Sequence, residues 1–357
     1  MKNKIIIYIF ISYLLIFSGL GIILKDKDIS LTERRKLKEF PEFSLNSIYL
    51  NEVEKYLLDH FPFRDSFRSL KANFNYHILN KLDNNGIYLH DNYIFKRENL
   101  NEKSIDNFKN HINTAKSYLT KDNNIYMVII PDKNYYLNDT NFLKLDYDYL
   151  YKEVNNLDIK NIDIRNTLEL NDYYETDTHW KQEKLDKVVK ELNKEMHVNY
   201  IKENYKVNTY NNFYGVYYSE AAIKRDPDKL CYLENDNLNN INVNYLENKN
   251  LHTIYNLDKL TSFDSYEVYL DGASSFIEIN NKDSNTNKEL VIFRDSFASS
   301  ITPLLINNYK KITLIDNRYI SSNNYLDLIE FKDQDILFMY STLIVNNSFS
   351  LKNWLFL

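Results

Sequence analysis

The chain begins with an apolar run, Ile5 to Leu24, that contains no charged residue. Its length suits a helix crossing a hydrocarbon layer, which takes about 20 residues. Lys2 and Lys4 precede the run, Lys25 follows it, and no small-x-small pair suited to signal peptidase intervenes. Residues 1–24 therefore read as an uncleaved signal anchor seated in a lipid bilayer through residues 5–24. A charged stalk covers 25–47. From Ile48 to Leu58 the apolar positions Ile48, Leu50, Val53, Leu57 and Leu58 share one helical face. Pro62 breaks that pattern, and a second helix is expected over Asp65–Leu82. Asn85-Gly86 signals a turn into the strand-like segments Ile87–Leu89 and Tyr93–Phe95. Residues 48–97 thus form a helical N-terminal region, expected to pack on the domain that follows.

From residue 98 to 357 strands and helices alternate. Helices are expected at 101–120, 147–154, 181–196, 298–309 and 324–331. Strands are expected at 125–130, 162–164, 289–293, 312–315 and 336–340. Ile125–Ile130 is apolar throughout and stopped by Pro131, as in a strand covered on both faces. The alternation predicts an α/β fold, a mostly parallel sheet with helices on both faces. A β-rich insert, short Tyr- and Val-rich strands with Asn-rich turns, interrupts it at about 200–285.

Composition removes several classes of function. The 357 residues include 5 glycines. Gly19 and Gly21 lie in the apolar run, so only Gly86, Gly215 and Gly272 remain, too dispersed for a dinucleotide or phosphate loop. The single Cys231 excludes an internal disulfide framework and a Cys-based zinc site. It reads as a structural residue or an isolated surface thiol. Seven histidines without an HxxxH or HxH pair leave no dedicated metal site, and Asp333-Gln334-Asp335 lacks the glycine and closing Glu of a calcium loop. A net charge of −6 without a basic stripe argues against nucleic acid as a partner. The 31 tyrosines accompany abundant Asn, Ile and Lys and scarce Gly and Pro, a coding bias more than a sign of sugar-stacking surfaces.

Two segments carry candidate chemistry. In Thr176-Asp177-Thr178-His179-Trp180, extended backbone turns residues 177 and 179 to the same side, so a carboxylate can orient an imidazole. The same residues also suit a helix cap, with His179 packed beside Trp180. In Phe293-Arg294-Asp295-Ser296-Phe297, a strand-to-helix turn displays Ser296 at the carboxyl edge of the sheet, where helix amides can hold an oxyanion. Capping is again the competing reading. Lys133 follows the strand ending at Ile130 and reads either as a ligand for an acidic sugar or as a solvated lysine. Tyr340, at another strand end, reads as a site residue or as a core or rim tyrosine. Arg294 has two readings, a substrate anion or a local carboxylate. His60 belongs to a helix end.

These segments come with others in a recognisable order. They are Glu33-Arg34-Arg35-Lys36-Leu37 through Phe40-Pro41, Asp59-His60-Phe61-Pro62-Phe63-Arg64-Asp65 and Asn85-Gly86-Ile87-Tyr88. Pro131-Asp132-Lys133, Phe213-Tyr214-Gly215-Val216-Tyr217-Tyr218 and Ile315-Asp316-Asn317-Arg318-Tyr319 complete the set. Together with Asp177-Thr178-His179-Trp180 and Asp295-Ser296-Phe297, they resemble the DHHW family, related to the SGNH-hydrolase-like alginate O-acetylation proteins, over nearly all of the chain after the apolar run.

The resemblance implies an SGNH-hydrolase-like fold with permuted motif order and a triad of Ser296 as nucleophile, His179 as general base and Asp177 as its orienting partner. It implies O-acetyl transfer or removal on an exported or cell-surface polysaccharide of a bacterial cell envelope, without a cofactor. A membrane-bound O-acyltransferase supplying acetyl groups is the implied partner. It also implies a domain outside the cytoplasmic membrane, whereas Lys25, Lys27, Arg34, Arg35, Lys36 and Lys38 would by the positive-inside rule hold that domain in the cytoplasm. Two positions depart from the family pattern. Thr178 stands where the family has a second His, and Asp271-Gly272-Ala273 stands where relatives tend to carry Gly-Gly-Asn. Gly272 is carried over as a substrate-binding position; Ala273 cannot replace an Asn donor to an oxyanion, a loss on the order of a hundredfold or more in rate. That departure leaves a second reading open, a non-catalytic glycan-binding or scaffold protein of a polysaccharide modification complex.

Overall fold

The apolar run forms helix α1 (Lys2–Ile23), long and apolar enough to cross a membrane and with no buried residue in the span Lys4–Ile23. The structure is a computed structural model and describes residues 2–30, 32–138, 142, 144–247 and 251–352. These fall into two compact units, residues 1–88 with 216–226, and residues 89–215 with 227–357.

In the first unit, Asn46 caps helix α2 (Ser47–Asp59) by accepting from the Tyr49 amide at 2.9 Å. Helix α3 (Arg64–Asn73) runs into a π-helical turn at Phe74–Ile78, so the helix expected to Leu82 stops short. Arg35 grips Asp59 with both terminal nitrogens, at 2.9 and 2.5 Å. Glu33 gathers Arg35, Arg64 and Arg68. The charged opening block is thus an ion-pair network with its own partners.

The second unit holds the helices α4 (Glu102–Lys116), α5 (Tyr147–Asn155), α6 (Asp186–Glu195) and α7 (Phe297–Leu305). Its main sheet contains β1 (Asn124–Ile130), β2 (Lys160–Asn161), β3 (Ile241–Tyr245), β4 (Phe276–Asn281), β5 (Glu289–Arg294), β6 (Lys311–Ile315) and β7 (Asp335–Ser341). Their order is β2-β1-β7-β5-β6-β4-β3. The first five are mutually parallel, with Phe293 opposite Ile315 on one side and Phe338 on the other. β4 and β3 are antiparallel additions.

Alternation along the strands divides the core into two layers. Val128, Ile130, Leu290, Ile292, Leu337 and Met339 face a layer with Trp180, Leu192 of α6 and Ile301 of α7. Met127, Ile129, Val291, Phe293, Ile336 and Phe338 face the other, with Phe108 of α4 and Leu150 of α5. Helices on both faces leave no strand residue of β7 exposed.

The β-rich insert is not a separate layer. β3 and β4 come from it and extend the main sheet, while Lys206–Phe213 and Asp228–Glu234 pair as a hairpin. The strand expected at Ile162–Ile164 pairs earlier, at Lys160–Asn161, and Ile162 follows it with a bond to the Met127 carbonyl at 2.8 Å.

Candidate active site

β5 lies inside the parallel part of the sheet, between β7 and β6, so its carboxyl end opens at the edge where neighbouring loops converge. The chain leaves the strand at Arg294 and turns through Asp295 and Ser296 into α7. Asp295 is 1 % exposed and shapes this turn. One carboxylate oxygen accepts from the Phe297 amide at 3.0 Å, the other from the Ser341 amide at the end of β7 at 2.7 Å. Ser296 makes no side-chain cap bond. Capping therefore belongs to Asp295, and the Ser296 hydroxyl points elsewhere.

It points to His179, whose Nε2 lies 2.8 Å from Ser296 Oγ. The other ring nitrogen, Nδ1, lies 2.6 Å from Asp177 Oδ1, which also accepts from the His179 amide at 3.0 Å. A carboxylate accepts only, so Nδ1 carries the hydrogen and Nε2 is left as the acceptor for the serine hydroxyl. Asp177 is buried; His179 and Ser296 are partly exposed. Residues from two segments 117 positions apart thus form one line, carboxylate to imidazole to hydroxyl.

The loop that carries Asp177 and His179 is fixed from several sides. Lys133 Nζ donates to the carbonyls of Tyr174 at 3.0 Å, Glu175 at 2.9 Å and Asp177 at 2.8 Å. Asp228, at the start of the hairpin's second strand, accepts from the amides of Glu175 and Thr176, both at 2.8 Å, and from the Thr176 hydroxyl. The Gly215 amide donates to Thr176 Oγ1 at 2.9 Å. A Cβ on Gly215 would stand 2.3 Å from Asp177 Cβ and 2.4 Å from its Cα, so this site has room only for glycine. Trp180 donates its indole N–H to Ser300 Oγ at 2.9 Å, tying the same loop to α7.

Tyr266 closes the imidazole from above. Its ring stacks on His179 with centroids 3.8 Å apart, and its hydroxyl donates to Ser300 Oγ at 2.9 Å. Burial holds the Tyr266 phenol well above its ordinary pKa, so it remains a neutral donor.

Of the residues singled out by sequence, Asp177, His179 and Ser296 meet; the others are held elsewhere. Lys133 is 1 % exposed and fully engaged by carbonyls, so it is neither a sugar ligand nor a solvated lysine; burial pushes its ammonium down to about 7, against the pull of Asp228, Asp177, Asp132 and Glu175. Arg294 is also 1 % exposed, bonded to Ser299 Oγ at 2.6 Å and more loosely to the carbonyls of Asp295 and Ser274 at 3.4 Å. No carboxylate is among these hydrogen-bond partners, though Asp316 and Asp295 act on its charge from nearby. Tyr340 is a core residue, edge-on to Phe108. Gly272 has φ +75° and closes a turn by donating to the Tyr269 carbonyl at 3.3 Å. Leu270 and Asp271 before it are left-handed too, at φ 54° and 55°, but at position 272 a Cβ would in addition stand 2.7 Å from Glu267 Cγ and Cδ. Cys231 is buried in the hairpin, near Thr209. His60 ends α2 and contacts the Lys38 carbonyl at 2.8 Å.

No family model matches the sequence, and no curated protein matches it. Solved structures do match the fold. A DHHW family protein from Eubacterium siraeum superposes with TM-score 0.64 at 20% identity, over 77% of this chain and 97% of that one. Bacillus cereus PatB1 superposes with TM-score 0.55 at 18% identity, over 73% of this chain and 97% of that one. The same protein with a sulfonyl adduct gives 0.54 at 17%, over 72% and 97%. A looser likeness, TM-score 0.43 at 10% identity over 73% and 92%, runs to the O-acetyltransferase domain of Pseudomonas putida AlgJ. Over most of its length the chain thus shares its fold with a DHHW family protein, the family that its motifs resemble.

Proposed function

We propose that this chain is a serine-dependent O-acyltransferase or acetylesterase acting on a cell-surface or exported polysaccharide, anchored by α1 with its catalytic unit outside the cytoplasmic membrane. The observation that carries the proposal is the position of His179 between Asp177 at 2.6 Å and Ser296 at 2.8 Å. Ser296 Oγ attacks the carbonyl carbon of an acyl ester while His179 Nε2 takes its proton, and Asp177 stabilises the imidazolium that forms. The tetrahedral oxyanion collapses to acyl-Ser296 as the imidazolium returns the proton to the departing oxygen. In the second half a sugar hydroxyl or water attacks acyl-Ser296, giving up its proton to Nε2. The new ester or free acid leaves, and the proton returns to Ser296. A membrane-bound O-acyltransferase is the partner that would supply the acyl group from across the membrane.

The test is hydrolysis of p-nitrophenyl acetate by the full chain in detergent, beside Ser296→Ala and His179→Ala. Both variants are expected to lose activity by on the order of a thousandfold or more. A sulfonyl fluoride is expected to label Ser296 in the wild-type chain and not in Ser296→Ala. Hydrolysis and labelling equal in all three proteins would dismiss the proposal. Ala273 favours a second reading, a glycan-binding or scaffold protein that keeps the fold without efficient chemistry. Glycan binding that persists in Ser296→Ala, with no hydrolysis in the wild type, distinguishes it.

A further inference from the structure

The helical segment from Arg64 to Ile78 has two unlike faces. On one, Arg64 and Arg68 reach Glu33, Arg68 donates to the Ser219 carbonyl at 2.8 Å, and Asn75 donates to Asn84 Oδ1 at 2.8 Å. Ala72 is fully buried there, and the Tyr76 hydroxyl donates to the Ile87 carbonyl at 2.7 Å. This face holds the segment to its own unit. On the other, Phe63, Phe67, Leu70, Phe74 and Ile78 recur at spacings of three and four and are 58%, 40%, 65%, 49% and 66% exposed. Single exposed apolar side chains are ordinary; five on one stripe mark a surface that something covers.

What covers it is indicated by α1. Phe67 and its neighbour Phe61 pack on Phe17 of α1, with ring centroids 5.8 and 5.4 Å away. Phe17 lies seven residues before Leu24, about 10 Å of helix at about 1.5 Å per residue. Wherever α1 sits in hydrocarbon, the start of the stripe is therefore carried to the same depth. Just beyond the apolar run, Lys25, Lys27 and Lys36 are exposed, cations placed to meet lipid headgroups.

We infer that the stripe Phe63–Phe67–Leu70–Phe74–Ile78 lies in the interfacial layer of the bilayer that α1 crosses, so that lipid is what covers it. The inference rests on the reading of α1 as a membrane anchor, and the test separates the two. Single cysteines at 67, 74, 73 and 14 are placed in the full chain carrying Cys231→Ser. Each is spin-labelled and reconstituted in vesicles of phosphatidylcholine and phosphatidylglycerol. Collision with oxygen, enriched in the bilayer, is compared with collision with a water-soluble nickel chelate. Labels at 67 and 74 are expected to favour oxygen and the label at 73, off the stripe, to favour nickel, while 14 favours oxygen. Nickel-accessible labels at 67 and 74, or labels there shielded from both reagents as by a protein partner, overturn the inference while 14 still reports a spanning α1. A nickel-accessible label at 14 removes the anchor and the inference with it.

Discussion

The ring of Tyr266 lies face to face with the imidazole of His179, centroids 3.8 Å and planes 11° apart. With Phe297 tilted against the same imidazole at 4.8 Å, the ring has little freedom to turn away from Ser296. Tyr266→Phe keeps that wall and removes only the bond to Ser300, so its esterase rate should stay within several-fold of wild type. Tyr266→Ala removes the wall, and a misplacement of about 1 Å costs about a hundredfold in rate. A steady-state comparison of the two variants checks this. Equal losses would mean that the hydroxyl, not the ring, matters.

Asp295 and Ser296 should separate stability from activity. Ser296 makes no cap bond, so Ser296→Ala is expected to unfold at nearly the wild-type denaturant midpoint while losing activity. Asp295→Ala leaves the amides of Phe297 and Ser341 without their acceptor in a buried turn. A buried donor left without a partner costs about 1–3 kcal/mol. Urea unfolding of both variants reads the difference directly.

Gly215→Ala is expected to damage the site from a distance in sequence. Its Cβ would meet Asp177 Cα at 2.4 Å, a main-chain atom that cannot swing aside. Overpacking of this kind costs about 1–3 kcal/mol, and here it also displaces the carboxylate that orients His179. Lowered thermal stability together with lost hydrolysis is the expected pair of results; wild-type values for both would show that the loop yields.

Lys133 makes a prediction about pH. Its folded pKa, pushed by burial down to about 7, lies below the ordinary lysine value of 10.5. The unfolded chain therefore binds more protons between these two values, and stability rises with pH wherever that holds. The charged form is the costly one: its penalty is fully present below about pH 7 and is relieved as pH rises toward 10.5. In Lys133→Met that dependence is absent. The difference in melting temperature, wild type minus variant, should increase from pH 6 to 10; a flat difference would contradict the assignment.

Asp177, His179 and Ser296 were legible in the sequence because their chemistry is local. Asp177 and His179 stand two positions apart, and although the backbone there bends instead of running extended, the His179 amide folds back onto Asp177 Oδ1 and keeps the pair together; a serine after an apolar strand and before an apolar helix occupies a sheet edge. Alternation of apolar strands with amphipathic helices likewise specified the parallel sheet. Lys133, Arg294 and Tyr340 sit at or just beyond strand ends as Ser296 does, but whether such a side chain turns outward or is captured depends on neighbours far away. For Lys133 those neighbours are the carbonyls of Tyr174, Glu175 and Asp177, more than forty positions on. Tyr266 and Asp228 carried no signal, being one tyrosine among 31 and one acid beside a proline. The assignment of β3 and β4 to the main sheet also escaped, because pairing partners are set by tertiary contact and not by the period of a strand.

The position of β7 has a consequence for when the chain can act. In the sheet it separates β1, whose end leads to Lys133, from β5, whose end leads to Ser296. Yet β7 follows both in the chain, and Asp295 needs its Ser341 amide. The segments that carry Asp177 and His179 on one side and Ser296 on the other are joined in one sheet only when residues 335–341 pair between them, a long-range closure of the slow kind. A chain that stops short of β7 therefore holds Asp295 without the Ser341 amide that fixes the turn into Ser296. The order of strands in the sheet thus sets when that turn can form as well as where it lies.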